Sequence, residues 1–328
     1  MKTWRQALSA VLIATASTWA QAGPTIKLAM NGAENIETNS EYAFVVAFRD
    51  ALKGSGMEVQ VFPSDALGAE KERLGQTAQG LIQVNLAAAT TPASISPMLR
   101  GLIMPFMFKS TAEFDQVMAQ TDLLAQMNAP LINSGLRLVA FTQRGLDAGI
   151  FNTKKPVATL EDLSSLRMRA LNKGQVAFFQ VLGVNSTVVA WGEVANALQT
   201  GIVEGYVNAP NSALRTGHTQ YLKHYTPAAL APSIRAVLVS EDWWQDLSAS
   251  EREQVQAALK AGVEANRAWV VNWGKTVDAQ FTEAGVTVTP LAAGERDKMR
   301  ALAGAVHRKV MSPEDLSAYE AALAQVRQ

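Results

Sequence analysis

Cysteine is absent from the whole 328-residue chain. Its absence excludes disulfides, a thiol nucleophile and a lipid-modified cysteine anchor. Histidine is nearly as scarce. His218, His224 and His307 are the only three, and none has a partner at the i+4 or H-E-x-x-H spacing of a zinc site. Each is therefore read as a satisfied or solvent-exposed side chain. No G-x-S-x-G elbow offers a hydrolase nucleophile, and no G-x-G-x-x-G offers a dinucleotide loop. "GKT" at Gly274 to Thr276 lacks the first glycine of a phosphate loop, because Trp269 stands in its place. A pair of acid/base carboxylates has no fixed spacing and leaves no pattern to search for. Nothing in the sequence positively supports an enzyme.

Excess charge is missing too. Lysine plus arginine and aspartate plus glutamate both number 29. A balance of this kind gives no reason to expect nucleic acid or anionic lipid as a partner, so recognition must rest on local charge. Long apolar runs are confined to the start. Lys2 and Arg5 precede "ALSAVLIATASTWA", which closes on Ala20-Gln21-Ala22. A positive end, a short apolar stretch and an A-x-A site are the marks of an export signal, with cleavage expected after Ala22. The run is too short for a comfortable membrane span. These features fit a soluble periplasmic protein of a Gram-negative bacterium, with one large or two medium domains in the remaining residues.

The mature chain alternates strands and helices. "TIKLAM" (Thr25 to Met30), "MEVQVFP" (Met57 to Pro63) and "LIQVNLAAAT" (Leu81 to Thr90) read as strands. Helices are expected between them at Ser40 to Lys53 and Ala69 to Gln79. This order predicts a mostly parallel sheet with helices on its faces. It recurs from Leu136, through "LRLVAF", "AGIFNT", "LRMRAL", "STVVA" and "IVEGYVN". Ser248 to about Ala284 reads as one long helix, with a capping box from Ser250 to Glu253. Its roughly 35 residues would span about 50 Å, long enough to lie across two lobes.

"LRMRALN" holds Arg167 and Arg169 two apart, on the same face of a strand. Both point either into water or toward something negative, and periodicity alone does not decide. Trp269 and Trp273, four apart, share a helix face and fit a core. Trp191 falls at a strand-to-helix junction, where ligands reach α/β proteins.

Four spaced segments carry a resemblance: "FPSDALGAEKERLGQTAQGLIQVNLAAAT", "GLIMPFMFKSTAEF", "NTKKPVATLEDLSSLRMRAL" and "WGEVANALQTGIVEGYVN". In this order they resemble the motifs of TRAP transporter substrate-binding proteins, the tripartite ATP-independent periplasmic class. The resemblance implies an α/β, two-lobed periplasmic clamp with a long helix spanning both lobes. Lobe I would take residues 23–146 plus about 231–270, and lobe II residues 147–230 plus about 271–328. It implies a monomer without cofactor or metal that is not an enzyme. Such a protein captures an organic acid and delivers it to small and large integral membrane subunits for sodium-coupled uptake.

Residue by residue, the resemblance makes Arg169 the arginine that grips the ligand carboxylate, and leaves Arg167 a structural role near the surface. Asn172 and Asn208 match positions that hydrogen-bond the ligand, and Trp191 an aromatic that packs on it. Glu70 and the Ala88–Thr91 segment, with Thr90 and Thr91, match first-lobe positions lining the cleft. Glu193 matches a structural acid. Many members carry a second arginine where a gapless comparison here puts Asp147, with Arg144 three residues away. An acid there, opposite Ala87 to Ala89, would repel a second carboxylate. The expected ligand is therefore a hydroxylated monocarboxylate, such as a sugar acid or hydroxy acid, followed by an aromatic or aliphatic 2-oxo acid. A sensory partner in place of a transporter would share the same pocket.

Overall fold

The structure, a computed structural model, describes residues 25–327. The export signal expected over residues 1–22 lies outside them. Among the described residues no helix is long and apolar enough to cross a membrane.

The chain begins with β1 (Thr25–Ala29), α1 (Ser40–Ala51), β2 (Glu58–Phe62), α2 (Glu70–Ala78) and β3 (Val84–Ala88). Short 3-10 turns at Thr91–Ser94 and Pro97–Ile103 lead to α3 (Thr111–Gln120), α4 (Leu123–Ile132) and β4 (Leu136–Gln143). After a first crossing the chain builds β5 (Gly149–Asn152), α5 (Leu160–Ser164), β6 (Arg167–Ala170), α6 (Lys173–Val181) and β7 (Asn185–Val188). α7 (Val194–Gln199), β8 (Gly205–Asn208), α8 (Pro210–Arg215) and β9 (His224–Thr226) complete that half. A second crossing returns to β10 (Ile234–Ser240). The remainder is α9 (Glu241–Asp246), α10 (Ala249–Gly274), α11 (Val277–Glu283), β11 (Thr287–Val288), α12 (Glu295–Val310) and α13 (Pro313–Val326).

Two sheets result, in the orders β2-β1-β3-β10-β4 and β11-β9-β5-β8-β6-β7. The expected parallel pairing holds where strands alternate with helices, at β1 with β2 and β3 and at β6 with β7 and β8. Each sheet is nevertheless mixed. β10 runs antiparallel to both β3 and β4, and β5 antiparallel to β8 and β9. The strands beside the two crossings enter from the opposite lobe, and that reverses their direction.

α1 forms because Asn39 accepts the Glu41 N–H at its start while Phe44, Val45 and Phe48 recur at helical spacing. Phe44 and Phe48 are fully buried, each worth about 2–3 kcal/mol. α1 lies on α10 at close range because Gly262 faces Phe44. A Cβ at Gly262 would sit 2.6 Å from the phenyl ring.

The long helix differs from expectation in two ways. Its capping box is Ser248 with Glu251, two residues earlier than Ser250 with Glu253. It also breaks at Lys275–Thr276, leaving 26 residues, about 39 Å, before α11. The apolar stripe runs across the break because its two parts bury against different cores. Val255 and Leu259 pack on the first, and Val277 and Phe281 on the second with Phe151 and Tyr225. Gly274 lets the helix end meet Leu146 of the first crossing, 2.9 Å from where a Cβ would stand.

The chain's end also departs from the expected division. α12 packs on α6 and α5 of the second lobe, whereas α13 turns back onto α3 and α4 of the first. Ser312 caps α13 and Pro313 opens it, reversing the chain. Tyr319 then donates to Met98 O at 3.0 Å, and Arg327 pairs with Glu113 at 2.8 Å.

Candidate ligand-binding cleft

The C-terminal ends of β3, β6 and β8 converge on the gap between the sheets, where α/β folds place their ligands. A cavity of about 180 Å³ lies there. Its walls are Ala88 to Thr90 at and beyond the end of β3, Leu171 after β6, and Val207 and Asn208 at the end of β8. Arg144 and Ala148 of the first crossing, and Leu230 to Arg235 of the second, close it from behind. A second cavity, of about 660 Å³, adjoins it and shares Thr90 and Ile103.

Alternation along β6 turns Met168 and Ala170 toward the core and Arg169 to the opposite face, beside Tyr206 of β8. Arg169 is 2% exposed, yet it pairs with no carboxylate among the described residues. Its Nε donates to Val189 O at 2.9 Å. Its guanidinium lies 5.6 Å from the Trp191 ring centroid. Trp191 also packs against His218, 5.0 Å between centroids, and Tyr206 stands 3.3 Å from His218 Nδ1. Burial without a counter-charge lowers the Arg169 pKa to about 10. Arg169 and Trp191 do not line the 180 Å³ cavity. They form the adjacent step, since Leu171 and Asn208, two residues beyond Arg169 and Tyr206 on their strands, do line it.

Asn208 keeps its Oδ1 on the Ala209 N–H at 2.9 Å, while its amide nitrogen has no bond among the described residues. Asn172 caps α6 through the Gln175 N–H at 3.0 Å and lines the larger cavity. Thr90 lines both chambers and Thr91 the larger. Arg167 is 56% exposed and pairs with Glu204 at 3.0 Å. Glu193 sits exposed on the turn that holds Trp191.

Both Glu70 oxygens are engaged within the protein. Oε1 accepts from Arg235 at 2.8 Å, and Oε2 from Ala88 N at 3.1 Å and Thr91 Oγ1 at 2.5 Å. Burial opposes its charge, but Arg235, Thr91 and the Ala88 N–H outweigh burial and hold its pKa down to about 2. Glu70 lines neither chamber but a neighbouring cavity of about 500 Å³, and it braces Arg235, Ala88 and Thr91.

Asp147 lies elsewhere. It lines a separate cavity of about 360 Å³ with Thr111, Gln143, Tyr225 and Val270. Burial raises its pKa against the Thr111 hydroxyl and the nearby Arg296 charge. Asp147, expected at the ligand, thus lines neither of the two chambers described above. The crossing segment turns between 144 and 147, and Arg144 is the residue in the cleft wall. Its backbone is fixed by Ser40 Oγ on its carbonyl at 2.7 Å and by its N–H on Ser233 O at 2.9 Å. The Arg144 side chain has no acid partner and its Nε no acceptor among the described residues. Burial, with Arg235 nearby, lowers its pKa to about 10.

Arg235 belongs to no motif, although a lone charge in the apolar run "IRAVLVS" is a usable signal. It is 2% exposed and fully paired, to Glu41 at 3.0 Å, Glu70 at 2.8 Å and Asn31.

Comparison with known proteins agrees with this architecture. Residues 33–314 match the family model of bacterial extracellular solute-binding protein, family 7. The ectoine/5-hydroxyectoine-binding periplasmic protein of Ruegeria pomeroyi is 25% identical over 92% of this chain and 88% of its own. The sialic acid-binding periplasmic protein of Vibrio cholerae is 24% identical over 88% of this chain and 90% of its own. Among solved structures, a TRAP periplasmic solute-binding protein of Ochrobactrum anthropi superposes with a TM-score of 0.84 at 23% identity, covering 93% of this chain and 96% of that one. Another, from Anaerococcus prevotii with bound D-glucuronate, superposes with a TM-score of 0.80 at 21% identity, over 93% and 98%.

Proposed function

This chain belongs to family 7 of the bacterial extracellular solute-binding proteins, the TRAP class, and from that premise we propose that it captures a hydroxylated organic acid through Arg169 and Arg144. Proteins of this family bind and deliver solutes and are not enzymes. The observation that carries the reading is that two arginines without a paired carboxylate among the described residues flank the gap between the lobes: half-buried Arg144 lines the cavity, and buried Arg169 stands on the strand step beside it. A buried guanidinium without a counter-charge is costly, and an incoming carboxylate removes that cost.

Arg169 presents two terminal nitrogens, which suit a two-pronged grip on one carboxylate. To reach it, the acid displaces Trp191 from the guanidinium face, and the indole then packs on the ligand body. Asn208 offers its amide donor and Thr90 its hydroxyl to ligand hydroxyls. Arg144, from the crossing, binds the acid only when the lobes are together, which couples capture to closure. The similar structures bound to D-glucuronate, galacturonate and L-galactonate support a sugar-acid class. With Asp147 outside the cavity, repulsion no longer argues against a second carboxylate. Delivery to small and large membrane subunits, sodium coupling, and export by the N-terminal signal complete the reading.

The test is a thermal-shift screen over hydroxylated mono- and dicarboxylates, followed by titration calorimetry of the best ligand. Arg169→Ala is expected to weaken binding about a hundredfold, or about 3 kcal/mol. Unchanged affinity removes Arg169 from the site.

A further inference from the structure

The larger cavity has a composition that the capture of one carboxylate does not use. Its wall contains Arg100, Lys173 and Lys309 and no acidic residue. None of the three forms an ion pair among the described residues. Arg100 is half-buried on the 3-10 turn of the first lobe. Lys173 opens α6, and Lys309 stands in the last turn of α12, its Nζ 3.2 Å from Gln180 Oε1. In a chain with balanced charge, three cations around one chamber are a local excess. Thr90 and Ile103 belong to both chambers, so a ligand anchored in the inner one extends directly into the outer.

We infer that the outer chamber holds a second anionic group, a carboxylate or phosphate at the far end of the ligand whose first carboxylate is held at the inner chamber. This rests on the reading of the inner chamber given above. The three cations come from the first lobe, from α6, and from the α12 segment lying against it. An anion among them ties these elements together and favours the closed clamp. The chemistry is that of a polyhydroxylated acid with charge at both ends. Hydroxyl groups in between meet Thr90, Thr91 and Asn172, which line the passage.

Titration calorimetry with D-gluconate, D-glucarate and 6-phospho-D-gluconate tests this, since the three differ only at the far end. Inorganic phosphate serves as a fourth probe, all at about 0.15 M salt. Wild type is expected to bind glucarate, 6-phosphogluconate or both about tenfold tighter than gluconate. Which of the two gains identifies the far group as carboxylate or phosphate. The Arg100→Gln/Lys173→Gln/Lys309→Gln variant, checked for an unchanged melting temperature, is expected to bring the three acids to one affinity. Should it not fold, Lys173→Gln and Lys309→Gln are read singly for the same loss.

Equal affinities in wild type, or an advantage that survives the loss of the cations, overturns the inference. So does an advantage found only in the association rate, which marks a steering field and not a bound group. Arg169→Ala lowers all three acids alike, which separates failure of the inner site from failure of the outer. If none of the acids binds, saturable phosphate binding that is lost in the triple variant sustains the outer site, and its absence ends it.

Discussion

Three buried or half-buried arginines around the cleft contrast with one another. Arg235, in the first sheet, has every nitrogen engaged by Glu41, Glu70 and Asn31. Arg169, in the second sheet, is equally buried and donates only to a backbone carbonyl, and Arg144 forms no ion pair among the described residues, feeling Glu41 and Glu70 only from a distance. Burial works against the charge of all three. For Arg235 the two carboxylates more than offset it and raise the pKa above the ordinary value, while Arg169 and Arg144 fall to about 10. A saturated buried arginine is a structural cross-link, and an unsaturated one is a site waiting for an anion. The first lobe's Arg235 is thus fully engaged within the protein, whereas Arg169 of the second lobe and Arg144 of the crossing keep donors for the anion proposed above.

The largest effect that would break this contrast is expected at Arg235. Arg235→Ala leaves Glu41 and Glu70 buried without their partner and should cost about 3–5 kcal/mol in chemical denaturation. Stability within about 1 kcal/mol of wild type would mean that Arg235 is not a cross-link. Next comes the Glu70 carboxyl. Its folded pKa of about 2 lies below the ordinary 4.5, so its contribution is present above about pH 4.5 and lost as pH falls through about 2. That contribution is about 3 kcal/mol. Urea unfolding of wild type and Glu70→Gln across this range should converge as the pH drops, and parallel curves would refute the assignment. The smallest effect belongs to Arg167, two residues from Arg169 on the same strand. Its exposed pair with Glu204 should contribute no more than about 1 kcal/mol, and Arg167→Ala should leave ligand titrations unchanged.

Much of the scaffold was legible from residue patterns. α1 and α2 lie within a few residues of the expected spans, because caps and apolar spacing are local signals. The long helix was legible as a stripe but not as two helices. The break at Lys275–Thr276 depends on which core each half meets. The position of α13 on the first lobe was invisible, since its amphipathic face fits any apolar surface. In the site, the motif points to Arg169 but not to the burial and missing counter-charge around it, and spacing alone does not show that Asp147 lines a different cavity from Arg144. Gapless spacing assumes an extended crossing, and the segment turns at Gly145 and Leu146.

By itself, the sequence determined the alternation of strands and helices, the poverty in catalytic groups, and the presence of two arginines on one strand face. These follow from side-chain type and period, which act over a few residues. Only the tertiary structure decided that Arg167 meets Glu204 at the surface, that Glu70 pairs with Arg235, and that Arg144 and Asp147 line different cavities. An arginine's role depends on whether a carboxylate reaches it, and the partners here lie 37 to 194 residues away in the chain.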